Sequence, residues 1–317
     1  MRKKILSILN ERYGQFVSGQ EIADTLNVSR ANISKHIRNL RQEGYHIEAV
    51  PNKGYMLTNE NDLLTKELIE DGLDDFYTIE VVDEIDSTNN YCKLNAAKLH
   101  DGYVLVADTQ SGGRGRNGRS FYSPKQTGIY FTIFLRPKVA IDLALKLTAA
   151  AGTAVAEAIE KNYPLKAEIK WVNDVLVNQK KVTGILCEAG FEMNTANLDY
   201  MIVGIGINVH PRTFPDDIEN IAGSIEDFTN LKVSRNVLLK DVLNIFLDFY
   251  RNIDANSFLE SYRSHSCLIG KEVTVIEASK TYRAKVIDID QNANLVVEKD
   301  GIRSVLSSGE IHIRDYY

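Results

Sequence analysis

No stretch of the 317 residues approaches the roughly 20 consecutive apolar side chains that a helix needs to cross a bilayer. The amino terminus does not join a basic segment to a continuous apolar run either, so a cytoplasmic protein with no membrane partner is expected. The three cysteines, Cys92, Cys187 and Cys267, are odd in number and far apart. That excludes a disulfide framework and a zinc site of paired ligands, and leaves reduced, mostly buried thiols. No internal repeat or low-complexity segment organises the chain, and no GxxxxGK followed by Ser or Thr is present, which excludes a P-loop. An excess of positive charge is also lacking: a net charge of -6 argues against coating nucleic acid by bulk electrostatics. The charge is uneven, however, because residues 1–60 sum to +3 and leave -9 for the remainder. A basic module sits on an acidic body, and the length predicts two or three domains.

In the basic module, Ile5, Ile8 and Leu9 have the spacing of one buried helix face. Ser18 followed by Glu21 is a capping-box pattern opening a second helix, with Ile22, Ala23 and Leu26 on one face, that ends near Asn27. Ser29 caps a third, in which Ile33, Ile37 and Leu40 point inward and Arg30, Asn32, Lys35, Arg38 and Arg41 lie on other faces. After Gly44, the runs Tyr45 to Val50 and Tyr55 to Leu57, joined by the turn Pro51 to Gly54, read as a hairpin. The pattern resembles a winged helix-turn-helix. In such folds the last of the paired helices enters the major groove, which points to Ser29, Arg30, Asn32 and Lys35 as DNA-binding residues.

Beyond residue 61 the pattern changes to longer strands and helices. Asp86-Ser87-Thr88-Asn89-Asn90 suits recognition of a small polar ring, and equally suits a helix cap. The strand Tyr103 to Ala107 leads through Gln110 into Gly112 to Arg119, reading GGRGRNGR. Gly113, Gly115 and Gly118 satisfy GxGxxG, but Phe121 to Pro124 and Gly128 predict continued loop and then the strand Ile129 to Leu135. A dinucleotide fold needs a helix there. The loop instead alternates backbone donors with Arg114, Arg116 and Arg119, which grip an anion, whether a ligand's or a nucleic acid's. Further on, Lys170-Trp171-Val172-Asn173-Asp174 enters a strand, and Lys181 starts its return strand, placed to neutralise a carboxylate. Asn173 and Asp174 offer oxygen ligands for Mg²⁺ or order the loop around it. The strand Met201 to Val209, MIVGIGINV, has glycines that admit a flat ligand and Asn208 to contact it.

Taken in order, Asp86 to Asn89, Gln110, Gly113 to Arg116 with Gly118 and Arg119, Lys170-Trp171 with Asn173-Asp174, Lys181 with Gly184-Ile185-Leu186, and Gly204 to Asn208 closely resemble the biotin–protein ligases. The resemblance is to the bifunctional kind that also represses biotin synthesis and transport genes. It departs at Val172, where the family has proline, and at Phe121, where tryptophan is common. It implies an α/β (α+β) multidomain chain: a winged helix-turn-helix over 1–60, a mixed-sheet catalytic domain over 61–267 and an SH3-like β-barrel over 268–317. It implies a biotin–[acetyl-CoA-carboxylase] ligase using ATP and Mg²⁺, with biotin as substrate and biotinyl-5'-AMP as intermediate and corepressor. Arg114, Arg116 and Lys181 carry the catalysis in that reading. Ser87, Thr88, Asn89, Gln110, Gly113, Gly115, Gly184 and Asn208 join them around the adenylate, with Asp174 and Asn173 at the metal. The implied partners are the biotin carboxyl carrier domain of acetyl-CoA carboxylase or pyruvate carboxylase, operator DNA and a second copy in a homodimer.

Overall fold

The computed structural model describes residues 1–42, 45–58, 62–137, 143–191, 198–277, 280–307 and 310–313. Gly44 and the boundary expected at 60/61 lie outside the described residues. Three helices, α1 (Arg2–Glu11), α2 (Gly19–Thr25) and α3 (Arg30–Gln42), precede the hairpin β1 (Ile47–Val50) and β2 (Gly54–Leu57). Ile33, Ile37 and Leu40 face inward on α3 as their spacing predicts. On α1 the buried set is Ile5, Leu6 and Leu9, and Ile8 is only half-buried because Leu6 takes the inner face. The capping box does not close: Ser18 Oγ accepts from Gln20 N at 3.2 Å, while the Glu21 carboxylate is drawn to Arg12. Val17 bridges to Tyr55, which ties the wing to the loop before α2.

After α4 (Lys66–Glu70), the strands β3 (Thr78–Ile85), β4 (Tyr103–Gln110), β5 (Gly128–Leu135), β6 (Ala167–Lys170), β7 (Asp174–Val177), β8 (Lys180–Phe191) and β9 (Leu198–Asn208) form one sheet. Its order is β3-β4-β5-β9-β8-β7-β6. Only β3 and β4 run parallel, so the sheet is mixed as expected. The short helix α5 (Thr88–Leu94) follows β3, and α6 (Leu143–Asn162) packs across the sheet. Helix α6 is buried along nearly its whole length through Ala149, Ala150, Ala151, Gly152 and Ala154. Small side chains all round allow close approach but erase the amphipathic stripe that would have announced the helix in sequence.

Helices α7 (Arg235–Arg251) and α8 (Leu259–His265) lead to an antiparallel sheet of β10 (Glu272–Glu277), β11 (Lys280–Ile289), β12 (Leu295–Lys299), β13 (Ile302–Leu306) and β14 (Glu310–Ile313), in the order β13-β12-β11-β10-β14. This sheet stands where the resemblance implies a small all-β domain. The units are not sealed from one another. Leu68 of α4 completes the core of the first helices, and Val273, Val286 and Leu295 share one apolar cluster with the large sheet.

A buried polar cluster joins the first module to the rest. Ser234 Oγ donates to Asn10 Oδ1 at 2.8 Å, and His210 lies 3.2 Å from both Asp62 and Glu226. Burial favours the neutral ring, but hydrogen bonds and charge from Asp62 and Glu226 outweigh it and raise the His210 pKa. A raised folded-state pKa gives stability that is complete below the ordinary imidazole value of about 6.5 and is lost as pH rises through the folded value. The thermal midpoint therefore declines as pH climbs above about 6.5, and His210→Gln flattens that decline. Melting curves of both proteins across this range check it; equal slopes would refute the assignment.

Candidate active site

A cavity of about 580 Å³ opens between the large sheet, the glycine–arginine loop and the segment after β9. Its closed end is a polar network built on α5. Ser87 caps that helix, its Oγ accepting from Asn90 N, so cap and cavity wall are one feature. Thr88 N donates to Gln110 Oε1 at 2.9 Å, and Gln110 Nε2 donates to Ser123 Oγ at 3.1 Å. The Thr132 hydroxyl sits 2.7 Å from both Thr88 Oγ1 and Asn89 Oδ1. Asn89 Nδ2 in turn donates to Leu186 O at 3.2 Å and Glu188 Oε2 at 3.0 Å. Ser87, Thr88 and Asn89 are all buried, so the network presents fixed polar atoms rather than mobile ones.

Across the mouth runs the glycine–arginine loop. Gly112 N donates to Asp86 O at 2.8 Å, Phe121 N to Gly113 O at 2.9 Å and Gly115 N to Arg119 O at 2.7 Å. The turn is made at Asn117 (φ 56°) and Gly118 (φ 74°), the left-handed region where glycine is unstrained. As expected, no α-helix opens at the motif; a single 3₁₀ turn at Arg116–Gly118 gives way to loop and then to β5. At Gly113 a Cβ would lie 2.4 Å from Phe121 O, which no side chain tolerates.

Cations converge beneath this loop. Lys181 Nζ lies 2.7 Å from Asp174 Oδ1, an ion pair without hydrogen-bond alignment. Arg116 Nη1 donates to Asn173 Oδ1 at 3.2 Å. Lys170 is buried beside them; burial lowers its pKa, Asp174 opposes that, and Lys181 and Arg119 add to the lowering. Lys170, Lys181, Arg116 and Arg119 thus line a cavity whose carboxylates are Asp174 and Asp217, and this excess of cations makes it an anion site.

The structure brings together the predicted residues Ser87, Thr88, Asn89, Gln110, Arg114, Gly115, Arg116, Asn173, Asp174, Lys181, Gly184 and Asn208 on this one cavity. Gly113 lies behind the loop, set by packing. Two local readings gain detail. Gly204 and Gly206 line the cavity and also seat an amide and an aromatic wall, since a Cβ there would lie 2.0 Å from Asn89 Oδ1 and 2.4 Å from the Phe121 ring. Of the two roles expected for Asn173, its contacts show the second, because its Oδ1 accepts from Arg116 at 3.2 Å and its Nδ2 donates to Ile185 O at 3.1 Å. It orders the loop. Among the described residues no group of three His, Cys, Asp or Glu side chains could hold a metal ion, and Mg²⁺ needs several oxygen ligands. The Trp171–Val172 peptide is cis, at the position where the resemblance calls for proline.

Residues that sequence reading left out of the site are Lys170, Thr132, Ser123, Tyr122, Arg212 and Phe214. Thr132 and Ser123 sit within ordinary strand and loop sequence, and only the fold places them beside Thr88 and Gln110. At the other end of the chain, Ser29 Oγ accepts from Asn32 N at 3.2 Å, Arg30 and Lys35 are exposed on α3, and Asn32 is half-buried.

Comparison with known proteins places these features together elsewhere. Residues 81–208 match the biotin/lipoate A/B protein ligase family, and residues 2–56 match an HTH domain. The chain is 33% identical over 322 residues to the bifunctional ligase/repressor BirA of Bacillus subtilis, covering 97% of each. It is 31% identical over 314 residues to the protein of the same name from Escherichia coli, covering 98% of this chain and 96% of that one. The biotin protein ligase from Aquifex aeolicus, solved in complex with biotin and ATP, superposes with a TM-score of 0.65 at 30% identity, covering 74% of this chain and 98% of that one.

Proposed function

This chain belongs to the biotin–protein ligases of the biotin/lipoate A/B protein ligase family, in the branch that carries a helix-turn-helix, and from that premise we propose how its site works. It joins biotin to protein with ATP and represses transcription. The observation that carries the mechanism is that one cavity joins a rigid neutral polar end to a cationic mouth. Biotin's ring lies against Ser87, Thr88 and Gln110, whose donors and acceptors are fixed by the Thr132 and Ser123 hydrogen bonds. Its carboxylate then reaches the cationic mouth.

A carboxylate is a poor electrophile at neutral pH, so it must first be activated. One carboxylate oxygen attacks the α-phosphorus of ATP, the bond to the β,γ-phosphates breaks, and pyrophosphate leaves with its electrons. Lys181, Lys170, Arg116 and Arg119 lie where negative charge accumulates on the phosphates. Asp174 would hold a Mg²⁺ ion accompanying the nucleotide, and that ion would supply further screening of the same charge. In the second half-reaction the lysine amine of a biotin carboxyl carrier domain, of acetyl-CoA carboxylase or pyruvate carboxylase, attacks the carbonyl of biotinyl-5'-AMP. AMP leaves, the amine loses its proton and an amide remains. The loop formed by Gly112 to Arg119 covers the mixed anhydride and excludes water until the acceptor arrives. Biotin-dependent pyrophosphate exchange, with lipoate and octanoate as control acids, tests the activation. Transfer to a carrier domain tests the second step.

The same intermediate serves as corepressor in this reading. When no acceptor consumes it, the loaded cytoplasmic protein dimerises and binds a two-fold operator, a coupling typically worth about 1–3 kcal/mol. Ser29, Arg30, Asn32 and Lys35 meet DNA from α3. Replacing both Arg30 and Lys35 by Ala lowers the slope of log affinity against log salt by about 0.9 for each phosphate no longer neutralised. Binding to the promoter DNA of biotin genes, measured at several salt concentrations with biotin and ATP present, checks this. An unchanged slope removes both residues from the interface.

A further inference from the structure

Arg212 lies beyond the end of β9 and lines the cavity at the end away from Ser87 and Thr88. Its guanidinium is held from several sides. Nη1 donates to Thr127 Oγ1 at 2.5 Å and to Tyr130 Oη at 2.8 Å, and Nη2 donates to Asn208 Oδ1. The guanidinium carbon is 4.8 Å from the Phe214 ring centroid and 5.6 Å from that of Tyr122. Those two rings come from different segments: Tyr122 follows the glycine–arginine loop and Phe214 follows β9.

Two consequences follow from arginine being a donor only. Because it takes Asn208 Oδ1, the Asn208 amide has one orientation, with Nδ2 turned to Lys181 O at 3.4 Å and a second N–H uncommitted. And Arg212 Nε is buried with no hydrogen-bond partner among the described residues, a donor that costs stability unless something accepts from it. Around these donors the cavity is lined by Phe121, Phe214, Ile218 and Ile221, apolar walls suited to a flat heterocycle.

We propose that Arg212 is the positioning residue for the nucleotide half of the adenylate: it clasps Tyr122 to Phe214 and fixes Asn208 as a donor to the purine nucleoside. This rests on the ligase reading above. The biotin half of the cavity does not touch Arg212, so the two halves separate experimentally.

The test measures KM for ATP and the release rate of biotinyl-5'-AMP in wild type, Arg212→Ala and Arg212→Lys, alongside biotin affinity without nucleotide. Arg212→Ala raises KM for ATP about tenfold and speeds adenylate release by a similar factor, as loss of one charge-assisted hydrogen bond does, while biotin affinity holds. Arg212→Lys recovers only part, since an ammonium neither forks nor stacks as a guanidinium does. Should Arg212→Ala fail to fold, Tyr122→Leu on the exposed side of the clasp carries the test, and faster adenylate release is again expected. Unchanged KM for ATP and unchanged release overturn the proposal, as does a biotin affinity that falls in step with ATP, which marks Arg212 as scaffold. A wild-type protein that exchanges pyrophosphate with lipoate and not with biotin overturns the ligase reading instead, and leaves the Arg212 comparison to be read with that acid.

Discussion

Lys181→Ala slows biotin-dependent adenylation by about 10²–10³-fold, the cost typical of removing one preorganised group that stabilises charge in a transition state. The size follows from what stands beside it. Lys181 is the ion partner of Asp174 at 2.7 Å. Taking away the ammonium removes a cation from the phosphate-binding mouth and also leaves the Asp174 carboxylate facing an incoming triphosphate. Both effects raise the barrier, and the second is an electrostatic repulsion that the wild type lacks. At saturating Mg²⁺, which offsets the lost carboxylate, the double variant Lys181→Ala, Asp174→Asn therefore recovers part of the loss, because neutralising Asp174 removes the repulsion but not the need for a cation. Biotin binding without nucleotide weakens far less, since the polar network around Thr88 and Gln110 does not involve Lys181. Initial-rate pyrophosphate exchange on the two variants decides the matter: single and double variants of equal activity sink the repulsion argument, and near-wild-type exchange by Lys181→Ala sinks the catalytic one.

Lys181 is legible in the sequence because its signal is local: a turn, the start of a strand and a motif around it. The same holds for Ile33, Ile37 and Leu40 on α3, whose spacing carries their burial, and for the loop from Gly112 to Arg119, where the absence of a following helix separates it from a dinucleotide motif. What stays hidden depends on partners far along the chain. Asn173 reads as a metal ligand because nothing near it in sequence occupies its carbonyl; the group that does, Arg116, is 57 residues away. Gly204 and Gly206 read as space for a ligand alone, because an adjacent sequence cannot reveal that they also seat Asn89 and Phe121. Arg212 and Phe214 lie in a segment without regular periodicity, so no pattern marks them. Helix α6 escapes for a different reason: from Leu147 to Ala156 it is buried on every side, and a stretch without a polar face gives no periodic signal.

The buried ion cluster around Arg235 belongs to the hidden class, and the largest loss of stability is expected there. Arg235 is 0% exposed and opens α7. Its Nη1 donates to Asp108 Oδ1 at 2.7 Å and Gly128 O at 2.9 Å, its Nε reaches Asp62 Oδ2 at 3.3 Å, and Nη2 reaches Asp62 O. Asp62 also accepts from the Arg235 backbone N–H at 2.7 Å and pairs with His210, whose other nitrogen faces Glu226. Three carboxylates thus share one permanent cation and one titrating ring. Arg235→Met keeps the bulk and removes the cation, leaving Asp62 and Asp108 buried with too few donors. Breaking such a cluster from one side costs about 3–5 kcal/mol, more than the cluster itself contributes over a well-packed apolar substitute, because the penalty is that of an uncompensated buried charge. For a chain of this size the thermal midpoint falls by roughly 10 °C. Adding Asp108→Asn to Arg235→Met removes one of the stranded charges and restores part of the midpoint; residues in one network are not additive, and the sign of the departure is the test. Since the cluster reaches Asn10 through Ser234, the first helices loosen with it, and operator binding by Arg235→Met fails at a lower temperature than in wild type. A midpoint within about 2 °C of wild type would show that the cluster relaxes or hydrates without its arginine, and a double variant less stable than the single one would show that Asp108 is held by groups other than Arg235.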